Sequence, residues 1–177
     1  MSTKKYNGVV VPMVTPVTPS GMLDKPAVER IIKSFVEAGV SPLLMGTTGE
    51  GNSVSTIDGQ ELIATAVKAA EGKITIYAGL TGNSFIEQLK QAGYYSASGA
   101  DVIVATLPSY YSLTPEQMEN YYKTLADSIK GPLMLYNIAS FFTRISSGGN
   151  KENPSSFTFT LYTVCTFTFQ AAYSAGR

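Results

Sequence analysis

Apolar residues recur along the first 138 positions in two alternating arrangements. Runs of strand length begin near Val9, Leu43, Ile74, Val102 and Leu133, at intervals of 34, 31, 28 and 31 residues. A spacing of about 30 residues is the length of a repeated βα unit. Between the runs, Val28, Ile31, Ile32, Phe35 and Val36 fall at helical spacing, as do Leu62, Ile63, Ala66, Val67 and Ala70. Each set predicts a helix with one apolar stripe that packs on a sheet. Leu43-Leu44-Met45 and Val102-Ile103-Val104-Ala105 are apolar at every position, as parallel strands covered by helices require.

Local signals predict where these elements begin and end. Asp24 precedes Pro26 at the first helix start, Ser84-Phe85-Ile86-Glu87 reads as a capping box, and Thr114-Pro115-Glu116-Gln117 reads as a second, with proline at the first helical position. Gly39, Gly72, Gly99 and Gly131 follow the four helices as stops, because glycine enters the left-handed region without steric cost. The expectation is an α/β fold of five parallel strands and four helices. Periodicity alone fits a doubly wound sheet and part of a barrel equally.

After Ile138 the pattern ends. Residues 139–177 hold six of the eight phenylalanines, six Ser and six Thr, but only four charged residues, Arg144, Lys151, Glu152 and Arg177. Phe157-Thr158-Phe159-Thr160-Leu161 and Phe167-Thr168-Phe169 alternate like strands, a composition that favours β aggregation. Two regions are therefore expected: residues 1–138, built of βα units, and residues 139–177, a Ser/Thr/Phe-rich tail. The tail is read as out-of-frame translation, read-through or an aberrant splice, with a natural β-rich extension as the alternative. It is expected either to pair with an exposed sheet edge or to promote aggregation, and the chain to be poorly soluble.

Composition narrows the chemistry. The 177 residues are 44% hydrophobic and 15% charged, which suits one globular core. Thirteen basic and thirteen acidic residues cancel, without the basic stripe that nucleic acid or an anionic membrane would select. With no histidine and one cysteine, Cys165, neither a Ser-His-Asp triad nor a His/Cys metal site can be assembled. Acid-base work is left to tyrosine, lysine and carboxylates. No signal-peptide core precedes Pro12 and no run reaches membrane length, so a cytoplasmic protein with a reduced thiol is expected.

Four features fall at the C-terminal ends of the expected strands: Thr15-Pro16, Gly46-Thr47-Thr48-Gly49-Glu50, Pro108-Ser109-Tyr110-Tyr111 and Tyr136-Asn137. That is the face on which barrel enzymes build their sites. In Gly46–Glu50 two adjacent hydroxyls and their amides can converge on a small carboxylate; a turn whose threonines cap the next helix fits the residues as well. Tyr136 closes a strand. Its phenol, with an ordinary pKa near 10, carries protons only when another hydroxyl or a cation supports it, and a packed core tyrosine is the plainer reading. Of Tyr110 and Tyr111, one is expected simply to pack.

The order TP, GTTGE, a YY pair and YNI, spaced by one or two βα units over residues 7–138, resembles the dihydrodipicolinate synthase and N-acetylneuraminate lyase family of pyruvate-dependent class I aldolases. The resemblance implies a TIM (β/α)8 barrel, of which this chain would hold the first five strands and four helices. It implies an enzyme that needs no cofactor, acts on pyruvate and an aldehyde, and assembles as a homotetramer. A lysine of the family forms an imine with the keto carbon, and the protonated imine lets a methyl proton leave to give a nucleophilic enamine. By motif position Thr47, Thr48 and Gly49 would hold the pyruvate carboxylate, with Thr48 joined to the proton relay. Tyr136 would shuttle the proton and Tyr110 would complete the relay, with Tyr111 as the alternative. Aspartate semialdehyde, N-acetylmannosamine and a sugar-derived aldehyde all fit these motifs.

Two departures accompany the resemblance. The imine lysine is expected about 25–30 residues after Tyr136, one βα unit on, where this chain has Leu161-Tyr162-Thr163-Val164-Cys165-Thr166 and where no lysine follows Lys151. Lys151 lies too early, in a Gly/Asn/Pro loop, and reads as a solvated charge. The family pattern also has proline after YNI, where Ala139 stands here. The expectation is a chain recognisable as an aldolase of this family but unable to form the imine.

Overall fold

The computed structural model describes Tyr6 and residues 8–137, 161–164 and 167–173. Five strands, β1 (Val10–Pro12), β2 (Ser41–Leu44), β3 (Tyr77–Gly79), β4 (Val102–Ala105) and β5 (Leu133–Asn137), alternate with four helices, α1 (Lys25–Ala38), α2 (Thr56–Ala70), α3 (Phe85–Ala97) and α4 (Pro115–Ser128). Each strand pairs in parallel with the next, so β1 to β5 lie side by side in chain order. A doubly wound sheet reverses its order at a switch point and sends helices to both faces. Among β1 to β5 the order never reverses.

The two faces of the sheet bury different residues. Leu44, Ala78, Ile103, Ala105 and Leu133 pack against Val28 and Ile32 of α1, Leu62, Ile63 and Ala66 of α2, Tyr95 of α3 and Leu125 of α4. Leu43, Tyr77, Val102, Val104, Met134 and Tyr136 form a second cluster on the opposite face, with Tyr6 and Val10 packed against it. Alternation along each strand sends neighbours to opposite faces, which is why all-apolar runs such as Val102–Ala105 are needed. All four helices contribute to the first cluster, the arrangement of a singly wound βα repeat whose second face is the inside of a barrel.

Helix starts follow the sequence signals with one amendment. Asp24 accepts from the Ala27 amide, and Thr114 and Gln117 form the full reciprocal box. Ser84 accepts from the Glu87 amide, but the Glu87 carboxylate turns to Lys90 at 2.8 Å, so that box is half made. Gly39 is the left-handed cap of α1 at φ 65°, whereas Glu71 takes that role in α2 at φ 51° and Gly72 follows at φ 70°. Gly99 and Gly131 come one and two residues after the caps Ser98 and Ile129.

The third strand begins at Tyr77 rather than near Ile74, since the chain first has to leave the turn that closes α2. Two further strands, β6 (Leu161–Val164) and β7 (Phe167–Tyr173), extend the sheet to the order β1-β2-β3-β4-β5-β7-β6. Both new pairings are antiparallel, with Tyr136 opposite Phe169 and Asn137 opposite Thr168. The alternating run Phe167-Thr168-Phe169 is thus a strand on the edge of β5. Phe157 to Thr160, Ala139, Arg144, Lys151 and Cys165 lie outside the described residues.

Candidate functional site

The loops that follow β1 to β4 stand at one end of the sheet and are tied to one another in sequence. Thr15, after β1, donates its hydroxyl to the Gly49 carbonyl at 2.6 Å. Asn52, after β2, accepts from the Gly82 amide at 2.8 Å. Asn83, after β3, accepts from the amides of Ser109 and Tyr110 at 2.9 and 3.1 Å. The loops after β2, β3 and β4 are each held by a side chain of the loop before, a tie that local sequence patterns do not reveal because the partners are 26 to 34 residues apart.

The Gly46–Glu50 corner is the tightest part of this rim. Met45 leaves β2 in the left-handed region at φ 56°, and Glu50 does so again at φ 49°, conformations that cost a residue with a Cβ roughly 1 kcal/mol or more. Between them the Gly49 and Gly51 amides both donate to the Gly46 carbonyl at 3.1 Å, and Glu50 donates to Thr47 at 3.0 Å. A Cβ on Gly49 would lie 2.8 Å from the Met13 carbonyl oxygen, so only glycine lets the corner seat against the end of β1.

Thr47 and Thr48 protrude from this corner. Both are exposed, and no partner is found for their hydroxyls or amides among the described residues. They do not cap α2, whose cap is Ser55, accepting from the Asp58 amide. The helix-cap reading of the threonines is therefore replaced by a rigid corner that presents two hydroxyls and two amides to solvent, a donor set suited to a small anion.

Tyr136 stands on the inner face of β5, 7% exposed, among Leu43, Tyr77, Val104 and Met134. Burial pushes its phenol up to about 12, because a phenolate loses more solvation there than a phenol does. Unaided it holds its proton at neutral pH; transferring that proton needs a cation or a hydroxyl chain beside it. Tyr110 and Tyr111 are 74% and 68% exposed and contact each other edge to face at 4.7 Å. Neither one packs into the core, contrary to the expectation for one of them. All the candidate residues lie at or just beyond the C-terminal ends of β2, β4 and β5.

Behind the rim, Gln88 of α3 is buried. It donates to the Gly82 carbonyl at 2.9 Å and accepts from the Tyr121 hydroxyl of α4 at 2.5 Å. Gln91 holds the Thr81 amide at 2.9 Å. These residues fix residues 81–83 from within, and sequence reading did not single them out. Among the described residues no three His, Cys, Asp or Glu side chains converge, and no helix is long and apolar enough to cross a membrane.

A sequential parallel sheet with helices on one face and a donor-rich corner at the strand ends defines the front of a (β/α)8 barrel. The chain matches the Dihydrodipicolinate synthetase family over residues 5–144 and belongs to that family. It is 34% identical over 132 residues to a 4-hydroxy-tetrahydrodipicolinate synthase of Aromatoleum aromaticum, covering 74% of this chain and 45% of the relative. It is 33% identical over 135 residues to a probable 2-dehydro-3-deoxy-D-pentonate aldolase of Escherichia coli, covering 76% and 45%. A dihydrodipicolinate synthase of Acinetobacter baumannii, solved with pyruvate, superposes with a TM-score of 0.72 at 30% identity, over 76% of this chain and 47% of that one. The chain thus spans about half the length of the relatives it matches. Its five parallel strands and four helices are those of the TIM-barrel fold of this family.

Proposed function

We propose that this chain carries the keto-acid-binding part of a pyruvate-dependent Schiff-base aldolase and lacks the amine that would form the imine. The observation that carries the reading is the tightly bonded corner at Thr47 and Thr48, exposed, with the hydroxyls and amides of these two residues without partners among the described residues. A small carboxylate would take its donors from these two residues, with Gly49 keeping the corner closed. The pyruvate-bound relative from Acinetobacter baumannii supports the choice of ligand.

In the full reaction an amine adds to the keto carbon and water leaves, giving the protonated imine. A methyl proton then departs, and the enamine attacks an aldehyde; cleavage is the reverse. Tyr136 is assigned the proton at the reacting carbon, and Tyr110, or Tyr111 in its place, the far end of the relay. The stretch one βα unit after Tyr136, Leu161-Tyr162-Thr163-Val164-Cys165-Thr166, holds no lysine. The polypeptide is therefore expected to bind pyruvate without a covalent adduct.

Titration of isotope-labelled protein with pyruvate tests this: the Thr47 and Thr48 amide resonances should shift, and Thr48→Val should suppress the response. Borohydride with labelled pyruvate should leave the chain unmarked. A pyruvyl adduct on this polypeptide overturns the loss of the amine, and unmoved Thr47 and Thr48 signals overturn the binding site.

A second reading, a non-catalytic paralogue that binds a small keto acid or a full-length subunit, draws on β7. It runs antiparallel along β5, where a barrel would continue with a parallel strand. Co-purification with a full-length family member at fixed ratio is its test, and failure to co-purify discards the subunit-binding form.

A further inference from the structure

Residues 81–83, between β3 and α3, are held from three sides. Asn52 takes the Gly82 amide at 2.8 Å, Gln88 gives to the Gly82 carbonyl at 2.9 Å, and Gln91 takes the Thr81 amide at 2.9 Å. The segment is thus anchored to the β2 loop, which carries Thr47 and Thr48, and to α3. From this anchored segment the Asn83 carboxamide reaches the β4 loop and accepts from two successive amides, Ser109 at 2.9 Å and Tyr110 at 3.1 Å.

Beyond those two bonds Tyr110 has little to hold it. Its ring is exposed, its only ring partner among the described residues is Tyr111, and the next fixed point along the chain is Leu113, packed against the core just ahead of the Thr114 cap of α4. One acceptor oxygen shared by two adjacent amides fixes the direction of the peptide between them, and therefore the direction in which the Tyr110 side chain leaves the backbone.

We infer that Asn83 is a positioning residue for Tyr110: its carboxamide oxygen orients the β4 loop so that the tyrosine stands at the same rim as the Thr47-Thr48 corner. The role given to Tyr110 rests on the keto-acid reading above, whereas the orienting function rests on hydrogen bonds alone. An exposed bond of this kind is worth enough that losing it should raise local amide exchange about fivefold.

The test compares Asn83→Leu, similar in size without the acceptor, with Asn83→Asp, which keeps an oxygen in place. Amide exchange is read by NMR across the whole chain, together with the melting temperature and the cross-peaks between the Tyr110 and Tyr111 rings. Asn83→Leu should raise exchange at Ser109 and Tyr110 about fivefold and erase the ring cross-peaks with the melting temperature unchanged, and Asn83→Asp should restore both. Unchanged exchange at these two amides in Asn83→Leu overturns the inference. So does exchange that rises evenly along the chain with a lower melting temperature, since Asn83 would then support folding and not orientation. Pyruvate titration of the unmodified chain decides the keto-acid reading separately, because the exchange measurements contain no ligand.

Discussion

Tyr95 on α3 is fully buried, and its hydroxyl is the buried side-chain polar atom without a partner among the described residues. An unpaired buried hydroxyl costs about 1–3 kcal/mol, so Tyr95→Phe should stabilise the chain by about 1 kcal/mol after allowance for the small void it leaves. What the hydroxyl presses on makes the prediction sharper. A Cβ at Gly59 in α2 would lie 2.8 Å from the Tyr95 oxygen and 3.0 Å from the Met45 Cε. Glycine inside a helix costs about 1 kcal/mol against alanine, but overlap of this kind costs about 1–3 kcal/mol, so Gly59→Ala alone should gain nothing or destabilise. Once the oxygen is gone the new methyl occupies its place. The double variant Tyr95→Phe/Gly59→Ala should then be about 2 kcal/mol more stable than the parent, with a coupling of about 1–2 kcal/mol between the sites. Equilibrium urea unfolding at low micromolar concentration measures all four corners of the cycle. A Tyr95→Phe variant that loses more than about 1 kcal/mol, or a double variant equal to the sum of the singles, would refute the reasoning.

The same residue makes stability depend on alkaline pH. Burial raises Tyr95 to about 12 from an unfolded value near 10, so the folded state holds the proton more tightly; the contribution is complete below pH 10 and disappears as pH rises through 12. It amounts to about 2–3 kcal/mol, and Tyr95→Phe should flatten that part of the pH profile relative to the parent. Thr15→Val removes the bond to the Gly49 carbonyl and should cost about 1 kcal/mol while weakening pyruvate-induced shifts at Thr47 and Thr48; unchanged shifts would separate β1 from the corner. Gly51→Ala should cost about 2–3 kcal/mol, because its Cβ would sit 2.8 Å from both the Met45 carbonyl carbon and the Thr81 Cγ2, and urea unfolding checks it. The open edges at β1 and β6 should produce concentration-dependent association, which sedimentation velocity reads; a monomer with a sharp melting transition would count against it.

Sequence patterning reached the parallel βα repeat because the strands carry apolar runs such as Val102–Ala105 that serve both faces and the helices carry one apolar stripe, features that depend only on neighbours in the chain. It also placed GTTGE and YN at strand ends, since those motifs follow immediately on the apolar runs. Doubly wound and barrel sheets could not be separated from period alone; that distinction lies in strand order, a non-local property. The ties through Asn52, Asn83 and Gln88 were invisible for the same reason, as Asn52 and Asn83 join loops a full βα unit apart and Gln88 meets Tyr121 33 residues on. The half-made box at Ser84 shows a different limit: Glu87 donates its amide to the Ser84 hydroxyl while its carboxylate pairs with Lys90, a choice that the sequence does not rank.

Half a barrel suffices to shape the corner because every group that fixes it belongs to β1, β2 or the loop after β3. Met13 and Thr15 meet Gly49 on one side, and Met45 and Thr81 meet Gly51 on the other. Nothing in that set requires a strand beyond β5. In the proposed Schiff-base reading the amine would instead come to the same rim on a strand running parallel to β5, so that its C-terminal end would arrive beside Tyr136. β7 passes that place in the opposite sense, with Thr168 opposite Asn137 and Tyr173 opposite Leu133, so the chain enters at the rim and leaves at the far end. Its direction is incompatible with the next βα step. The separation follows from topology: the corner is shaped by strands that are local neighbours, and past β5 the described sheet continues in the antiparallel sense.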